Sequence, residues 1–180
     1  KGFVYEGFKS MHLCPRCETT LSNFEVNQGY KDITDISVTV KFAVVGEANT
    51  YFLAWTTTPW TLPGNVALAV NPEIDYVKIK MMPSGDHFIL AKSRLAVIKE
   101  NYAIVAEFKG ETLVGKSYKP VFDYYNNNKT KNLENGFKVY GAPFVTTEDG
   151  TGIVHIAPAF GEDDMNLGKE KSLPFIQHVG

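Results

Sequence analysis

Residues 150–164 combine a histidine, a Pro/Gly corner and two adjacent aspartates in a short stretch of chain. His155 lies inside an apolar run typical of a strand, and Asp163 and Asp164 follow just past the corner. A carboxylate orients a cation through charge-assisted hydrogen bonds, and the apolar neighbours suit an apolar side chain. The segment therefore predicts a pocket for a small, positively charged ligand that carries an apolar group.

Each of these three side chains also has a structural interpretation. Asp163 and Asp164 fit the first turn of a helix, and the sequence does not decide whether one of them faces a pocket. A lone histidine in a strand is most often a structural or an exposed residue. A metal site at His155 is disfavoured because no second His or Cys stands nearby at ligand spacing. As a rigid polar wall of a pocket, His155 would act by size rather than by proton transfer.

Residues 55–61, Trp-Thr-Thr-Thr-Pro-Trp-Thr, supply hydroxyls and two indoles without any charge. Alternation along a strand sends the three consecutive hydroxyls to both faces, and the proline biases Thr58 to extended geometry. Any one threonine is also explained as a strand-forming residue. A hydroxyl row beside two indoles suits an adenosine ribose and an apolar group. The chain shows no Ser/His/Asp triad pattern, no Gly-x-Ser-x-Gly elbow and no phosphate-cradling loop.

Cys14 and Cys17 stand at the spacing of half a structural zinc site. Four ligands are needed, and His12 is the one nearby candidate for a third, so a second cysteine pair outside this chain would complete the site. Thioredoxin-like redox chemistry is disfavoured because no helix pattern follows Cys17. Two cysteines also argue against a disulfide-stapled secreted fold, and we expect a reducing, cytoplasmic location.

Composition sets limits on the class of protein. With 180 residues, 44% of them apolar and 21% charged, one packed domain is expected. No apolar run approaches the roughly 20 residues that a membrane-spanning helix needs, so no membrane partner is expected. The formal charge of −2 disfavours a protein that grips nucleic acid through many phosphates. Because both ends suggest a piece of a longer chain, a nucleic-acid partner would be held mainly by other parts.

The elements that must position these side chains are mostly short strands. Residues 38–44 alternate cleanly, with Val38, Val40, Phe42 and Val44 on one face. Further strands are predicted over residues 51–55, 66–70, 76–80, 87–90, 103–108, 137–140 and 152–157. Many short strands separated by turn signals favour a barrel or a sandwich.

Helical signals are few. Residues 91–100 give the best helix pattern, and residues 161–171 start acidic and end with lysine, as the helix dipole favours. Residues 124–132 are typical of a polar surface loop. Within it, Asn128-Lys129-Thr130 would matter as a glycosylation site only in a secreted protein.

These segments resemble the editing domain of isoleucyl-tRNA synthetase, an insertion in the catalytic domain of that class I enzyme. Residues 55–65 look like the family's threonine-rich motif, residues 150–164 like its second motif, and residues 14–28 like the segment that leads into the domain. The resemblance implies a mixed α/β, strand-rich fold with a β-barrel core and peripheral helices. It divides the chain into a leading segment, residues 1–30, with the half zinc knuckle, and the editing domain proper, residues 31–180.

The resemblance also implies an activity, the hydrolysis of valine wrongly esterified to the isoleucine tRNA, with valyl-adenylate as a second candidate substrate. Asp164 would bind the α-ammonium group of the substrate, which leaves Asp163 at the helix start. The hydroxyls that would hold the terminal adenosine and position the attacking water are those of Thr56, Thr57 and Thr58.

The pocket for the amino-acid side chain would be lined by Trp60, Thr61 and His155, with Asn65 as a weaker candidate. This pocket would admit the two methyl groups of valine and clash with the extra carbon of isoleucine. A hydroxyl-positioned water would attack, since none of these groups is an obvious general base near neutral pH.

Partners and alternatives follow from the same resemblance. The expected partners are the acceptor end of tRNA(Ile) carrying valine and the remainder of the synthetase. Editing needs no cofactor, and a structural zinc ion is expected, if at all, in the full-length enzyme. Two alternatives stay open: a valyl- or leucyl-type editing site for another amino acid, and a non-catalytic RNA-binding or zinc-knuckle module.

Overall fold

The computed structural model describes residues 2–125 and 129–179, and its elements follow the strand-rich pattern of the sequence. The strands are β1 (Leu13–Cys14), β2 (Thr19–Thr20), β3 (Val38–Ala43), β4 (Thr50–Thr56), β5 (Ala67–Val70), β6 (Asp75–Met81), β7 (His87–Ala91), β8 (Tyr102–Lys109), β9 (Lys138–Gly141) and β10 (Ile153–Ile156). The helices are α1 (Asn23–Asn27) and α2 (Glu162–Glu170), with 3-10 helices at Pro59–Gly64, Lys92–Val97, Gly110–Leu113 and Leu133–Asn135. Every predicted strand is confirmed, to within one residue at each end.

Alternating apolar residues build a five-stranded sheet in the order β3-β4-β7-β6-β8. Its neighbouring strands are antiparallel, except that β4 and β7 run parallel. On β3, Val38, Val40 and Phe42 pack against the main core, whereas Thr39 and Lys41 are exposed. The predicted alternation of this strand is therefore confirmed.

A second sheet of three strands, β10-β5-β9, packs against the first one. Its central strand β5 is buried on both faces. Leu68 and Val70 join the core shared with the five-stranded sheet, while Ala67 and Ala69 join a core that includes Leu167 of α2. Burial on both faces explains why this strand is apolar without alternation.

The two sheets are open in the described residues, which contain no closed barrel. Isolated bridges from Tyr118 to Val44 and from Ser117 to Lys138 connect the end of β3 with β9. Single bridges are not a ladder of consecutive pairs, and closing a barrel requires such ladders all the way round. The predicted mixed α/β, strand-rich class is therefore confirmed, whereas the β-barrel core is not.

The helix predictions have different outcomes. Residues 91–100 contain a 3-10 helix of six residues in place of the predicted α-helix. Ala91 belongs to β7, where its N–H donates to Thr151 O at 2.9 Å, and the backbone is extended again at Ile98. The six residues between them are too few for an amphipathic α-helix. The prediction over residues 161–171 is confirmed by α2, whose first turn contains three acidic residues.

Long-range hydrogen bonds fix the approach to β10, the strand that carries His155. Thr151 Oγ1 donates to Leu53 O at 2.6 Å. Tyr76 OH donates to Gly152 O at 2.6 Å and accepts from Asn71 N–H at 3.1 Å. These contacts tie the start of β10 to the five-stranded sheet.

The leading segment reaches α2. The ring of Phe8 stacks on Phe175 with centroids 5.2 Å apart, and Lys169 Nζ donates to Phe8 O at 3.1 Å. The predicted boundary at residue 30 stays a prediction.

The sequence also predicts a surface loop at residues 124–132 and the absence of a membrane-spanning helix. Within the described ranges, no helix is long and apolar enough to cross a membrane. Of the predicted loop at residues 124–132, residues 126–128 lie outside the described residues, and the glycosylation motif falls partly on them.

Tyr76→Phe tests the contact that holds the approach to β10. Without the hydroxyl, the buried Gly152 carbonyl loses its partner, and an unsatisfied buried polar group costs about 1–3 kcal/mol. We expect urea denaturation to show a free energy of unfolding lower by that amount. Tyr102→Phe, on the half-exposed edge strand β8, is the control and should stay within about 0.5 kcal/mol of wild type. Equal effects of the two substitutions would contradict the assignment.

Candidate functional site

The threonine-rich segment forms a tight turn between β4 and the Pro59–Gly64 helix. Thr56 ends β4 and is buried; its Oγ1 accepts from Thr58 N–H at 3.1 Å and lies 3.2 Å from Thr58 Oγ1. Proline suits the start of the helix because no N–H is needed there. The turn thus places the hydroxyls of Thr56 and Thr58 side by side, with Thr57 exposed between them.

A hydrogen bond between Thr61 and His155 joins the two predicted motifs. Thr61 Oγ1, from the 3-10 helix, lies 3.1 Å from His155 Nε2, from β10, and both side chains are buried. The antiparallel register of β10 with β5 pairs His155 with Leu68 and fixes its height in the sheet. Two residues predicted to line one pocket are therefore in contact, although 94 positions separate them.

The hydrogen-bond pattern assigns the tautomer of His155. Thr61 Oγ1 donates its one proton to Thr58 O at 2.8 Å, so toward His155 it must accept. The imidazole proton is therefore on Nε2, and Nδ1 is a buried acceptor without a hydrogen-bond partner in the part of the chain described. Burial lowers the pKa of His155 to about 4, so the ring is uncharged at neutral pH. Such a ring is a polar wall and a poor general base.

Asp163 and Asp164 share the first turn of α2 but have different surroundings. Asp163 is exposed, whereas Asp164 is partly buried. Asp164 Oδ2 accepts from Ala157 N–H at 3.4 Å, a long bond and the one that this carboxylate makes within the described residues. Gly161 leaves room for it, since a Cβ there would lie 2.7 Å from Asp164 Oδ2. The sequence did not decide which of the two aspartates faces inward, and in the structure it is Asp164.

The carboxylate of Asp164 is short of partners. Burial raises its pKa to about 6, and the negative charge of Asp163 adds to the rise. The hydrogen bond from Ala157 lowers the pKa but does not offset these effects. Above pH 6 the group is therefore an ionised carboxylate whose single long hydrogen bond does not offset its desolvation. A cation with N–H donors stabilises such a group, and an α-ammonium supplies both the charge and the donors.

Trp60 makes a second contact between the motifs. Its indole is 57% exposed and packs edge-on against Phe160, with centroids 5.5 Å apart. The ring of His178 lies 4.8 Å from Phe160, and its Nε2 lies 3.0 Å from Trp60 O. The sequence patterns predict no role for Phe160 or His178. Phe160 stands inside the second motif, but His178 is 118 residues from Trp60 and gives no local signal.

Asn65 is bound into the core. Its Nδ2 donates to Ala67 O at 2.9 Å, and its Oδ1 accepts from Tyr118 OH at 2.6 Å. These bonds join the end of the Pro59–Gly64 helix to β5 and to Tyr118, which bridges to Val44 after β3. Its place in a ligand pocket stays a prediction.

Cys14 and Cys17 lie together at the turn between β1 and β2. Hydrogen bonds from the backbone of Cys17 and Arg16 lower the pKa of the Cys14 thiol, and the adjacent Cys14 raises the pKa of Cys17. The two thiols fit half of a tetrahedral zinc site. His12 does not join them, since the described ranges contain no group of three His, Cys, Asp or Glu side chains arranged to hold a metal. A zinc ion in the full-length enzyme stays a prediction.

The fold is that of the editing domain of a tRNA synthetase. The crystal structure of GlLeuRS-CP1 matches with a TM-score of 0.62 at 16% identity, over 75% of this chain and 60% of that one. The P. knowlesi cytosolic leucyl-tRNA synthetase editing domain matches with a TM-score of 0.57 at 15% identity, over 81% of this chain and 66% of that one. At these identities the likeness establishes the fold alone. No protein-family model matches the chain.

Sequence comparison gives the particular family. The chain is 52% identical to isoleucine–tRNA ligase of Clostridium acetobutylicum, 50% to that of Clostridium novyi and 49% to isoleucine–tRNA ligase 2 of Bacillus thuringiensis subsp. konkukian. Each match covers 99% of this chain. The chain belongs to the isoleucine–tRNA ligase family, and it spans 17% of the length of these relatives.

Asp164→Asn is expected to stabilise the fold at pH 7.5, because it removes a carboxylate that burial makes costly to ionise. The folded pKa of about 6 exceeds the ordinary value of about 3.9, so the folded state binds more protons between these pH values. Wild-type stability therefore falls as pH rises from about 4 to about 6. The gain in the variant should reach up to about 3 kcal/mol above pH 6 and vanish below pH 4.

Asp163→Asn is the matched control, since it removes an exposed carboxylate from the same helical turn. It should lose about 0.3–1 kcal/mol of helix-dipole stabilisation. Urea unfolding at pH 4 and pH 7.5 measures both variants. Destabilisation of similar size by both substitutions at pH 7.5 would show that Asp164 is not desolvated.

Proposed function

We propose that the chain hydrolyses valine wrongly esterified to tRNA(Ile), as the proofreading site of an isoleucine–tRNA ligase. The observation that supports this function is the partly buried Asp164 carboxylate, with its single long hydrogen bond. The α-ammonium of the ester would supply the missing charge and donors, and the valyl group would lie against the uncharged Thr61–His155 pair. The acceptor end of tRNA(Ile) and the remainder of the ligase are the partners in this proposal.

Size exclusion gives such a site its purpose. One methylene changes binding by only about 1–3 kcal/mol, as isoleucine–tRNA ligases themselves illustrate, so a pocket shaped for isoleucine cannot reject valine well. A smaller second pocket selects in the opposite direction, because forcing the extra carbon of isoleucine into a rigid pocket costs about 1–3 kcal/mol, and the two selections multiply. Thr61 and His155 suit a rigid wall, since they are buried and hydrogen-bonded to each other.

The proposed reaction needs no cofactor. A water molecule attacks the ester carbonyl carbon, the carbon–oxygen bond to the terminal ribose breaks, and the ribose oxygen leaves with a proton. Asp164 anchors the substrate, while the hydroxyls of Thr56, Thr57 and Thr58 bind the ribose and position the water. Positioning supplies much of the rate, and the free hydroxyl of the terminal ribose assists the proton transfer, since His155 is a weak base.

Single-turnover deacylation of Val-tRNA(Ile) and Ile-tRNA(Ile) by the full-length ligase that contains this chain tests the proposal, because the rest of the ligase is expected to hold most of the tRNA. Wild type should release valine and spare isoleucine. Asp164→Asn should lower the rate constant for valine release roughly 100-fold or more, because one partner of a desolvated charge pair is lost. Since this variant is expected to be more stable than wild type, unfolding would not explain the loss.

Asp163→Asn should retain activity within about threefold of wild type, since exposed ion pairs contribute little. Retained activity in Asp164→Asn would exclude the ammonium anchor. Equal release of valine and isoleucine would exclude the size-selective pocket. A wild-type protein that releases neither amino acid would overturn the function itself.

A further inference from the structure

The chain after α2 returns to the threonine-rich motif. Leu173 and Ile176 are buried in the core beside α2, which anchors this stretch to the domain. His178 follows the anchor and reaches the Pro59–Gly64 helix. This stretch belongs to neither predicted motif, so neither motif predicts a role for its contact with the candidate site.

His178 satisfies a carbonyl that its own helix leaves without the usual donor. In a 3-10 helix the carbonyl of residue i accepts from the N–H of residue i+3. For Trp60 that residue is Pro63, which has no N–H. His178 Nε2 lies 3.0 Å from Trp60 O and, as the acceptor is a carbonyl, Nε2 must carry the proton.

The local packing is shaped around the same ring. A Cβ on Gly64 would lie 3.0 Å from His178 Nδ1 and 3.1 Å from Phe160 Cε2, closer than side-chain atoms pack without a shift. The ring of Phe160 contacts both His178 and Trp60. Glycine at position 64 therefore lets His178 reach the carbonyl while it packs against Phe160.

We propose that His178 is a positioning residue for the amino-acid pocket. By binding Trp60 O and packing on Phe160, it holds the Trp60 indole and the following Thr61 in the positions that let the pocket accept valine and reject isoleucine. Its contacts are with Trp60, Phe160 and Gly64, and not with the ammonium anchor Asp164. This inference rests on the proposed function and adds a residue that sets its specificity.

Three substitutions separate the hydrogen bond from the ring packing. His178→Phe keeps a ring against Phe160 but removes the donor, and His178→Gln keeps an N–H donor without the ring. His178→Ala removes both. The readout is the ratio of the deacylation rate constants for Val-tRNA(Ile) and Ile-tRNA(Ile), because a smaller folded fraction lowers both rates equally and leaves the ratio unchanged.

We expect the ratio to fall roughly three- to tenfold in His178→Phe and His178→Ala, the range that one hydrogen bond gives, and His178→Gln to restore most of it. Gln177→Ala, the exposed neighbour, is the control and should match wild type. Wild-type ratios in both His178→Phe and His178→Ala would overturn the inference. So would a fall in His178→Gln as large as that in His178→Ala.

Gly64→Ala gives an independent test from the other side of the contact. Its methyl group should displace the His178 ring and lower the ratio as His178→Ala does, and in the double variant the two effects should not add. Additive effects would mean that the two residues act separately and would contradict the inference. If wild type itself hydrolyses neither ester, the proposed function fails; if wild type is selective and these variants are too, only the role of His178 fails.

Discussion

Desolvation sets the charge of the candidate site. Burial opposes the ionised form of any side chain, so it lowers the pKa of His155 to about 4 and raises that of Asp164 to about 6. At neutral pH Asp164 therefore carries a negative charge, and His155 is an uncharged polar side chain. In the proposed function, Asp164 binds the ammonium group of the ester and His155 lies against its apolar side chain. His155 would be a poor base there, so the proposed reaction relies on orientation of the water for most of its rate.

Contacts between distant segments assemble this environment. The Thr61–His155 hydrogen bond joins the threonine turn to β10, and the edge-on contact of Trp60 with Phe160 joins the same turn to the start of α2. β5 packs against a core on each face and carries β10 as its neighbour, so the strand with His155 is held by the most buried part of the fold. The Thr61–His155 pair is therefore held as rigidly as the core behind it, which the proposed rejection of a ligand by size requires.

The sequence predicted what local pattern controls and missed what tertiary contacts decide. The strand at residues 38–44 could be predicted because one face alternates, and α2 because its first turn is acidic. The α-helix predicted at residues 91–100 was wrong because Ala91 belongs to β7 and the backbone is extended again at Ile98, which leaves room for only six helical residues. The local sequence pattern does not show which of Asp163 and Asp164 turns inward, since that depends on the space that Gly161 leaves beside Asp164. His178 had no signal of its own, although a proline inside the facing helix already implied a carbonyl in need of an outside donor.

The pH dependence of kcat/KM for Val-tRNA(Ile) deacylation, corrected for spontaneous hydrolysis, tests most directly whether Asp164 is the ammonium anchor. This ratio reports ionisations of the free protein and of the free substrate, and it should rise with pH through a limb near pH 6, where Asp164 acquires its charge. His155→Gln should keep that limb, because His155 titrates near pH 4 and is already neutral. A limb that disappears in His155→Gln would identify the histidine as the base. A profile without a limb between pH 5 and pH 7 would show that the carboxylate is not desolvated.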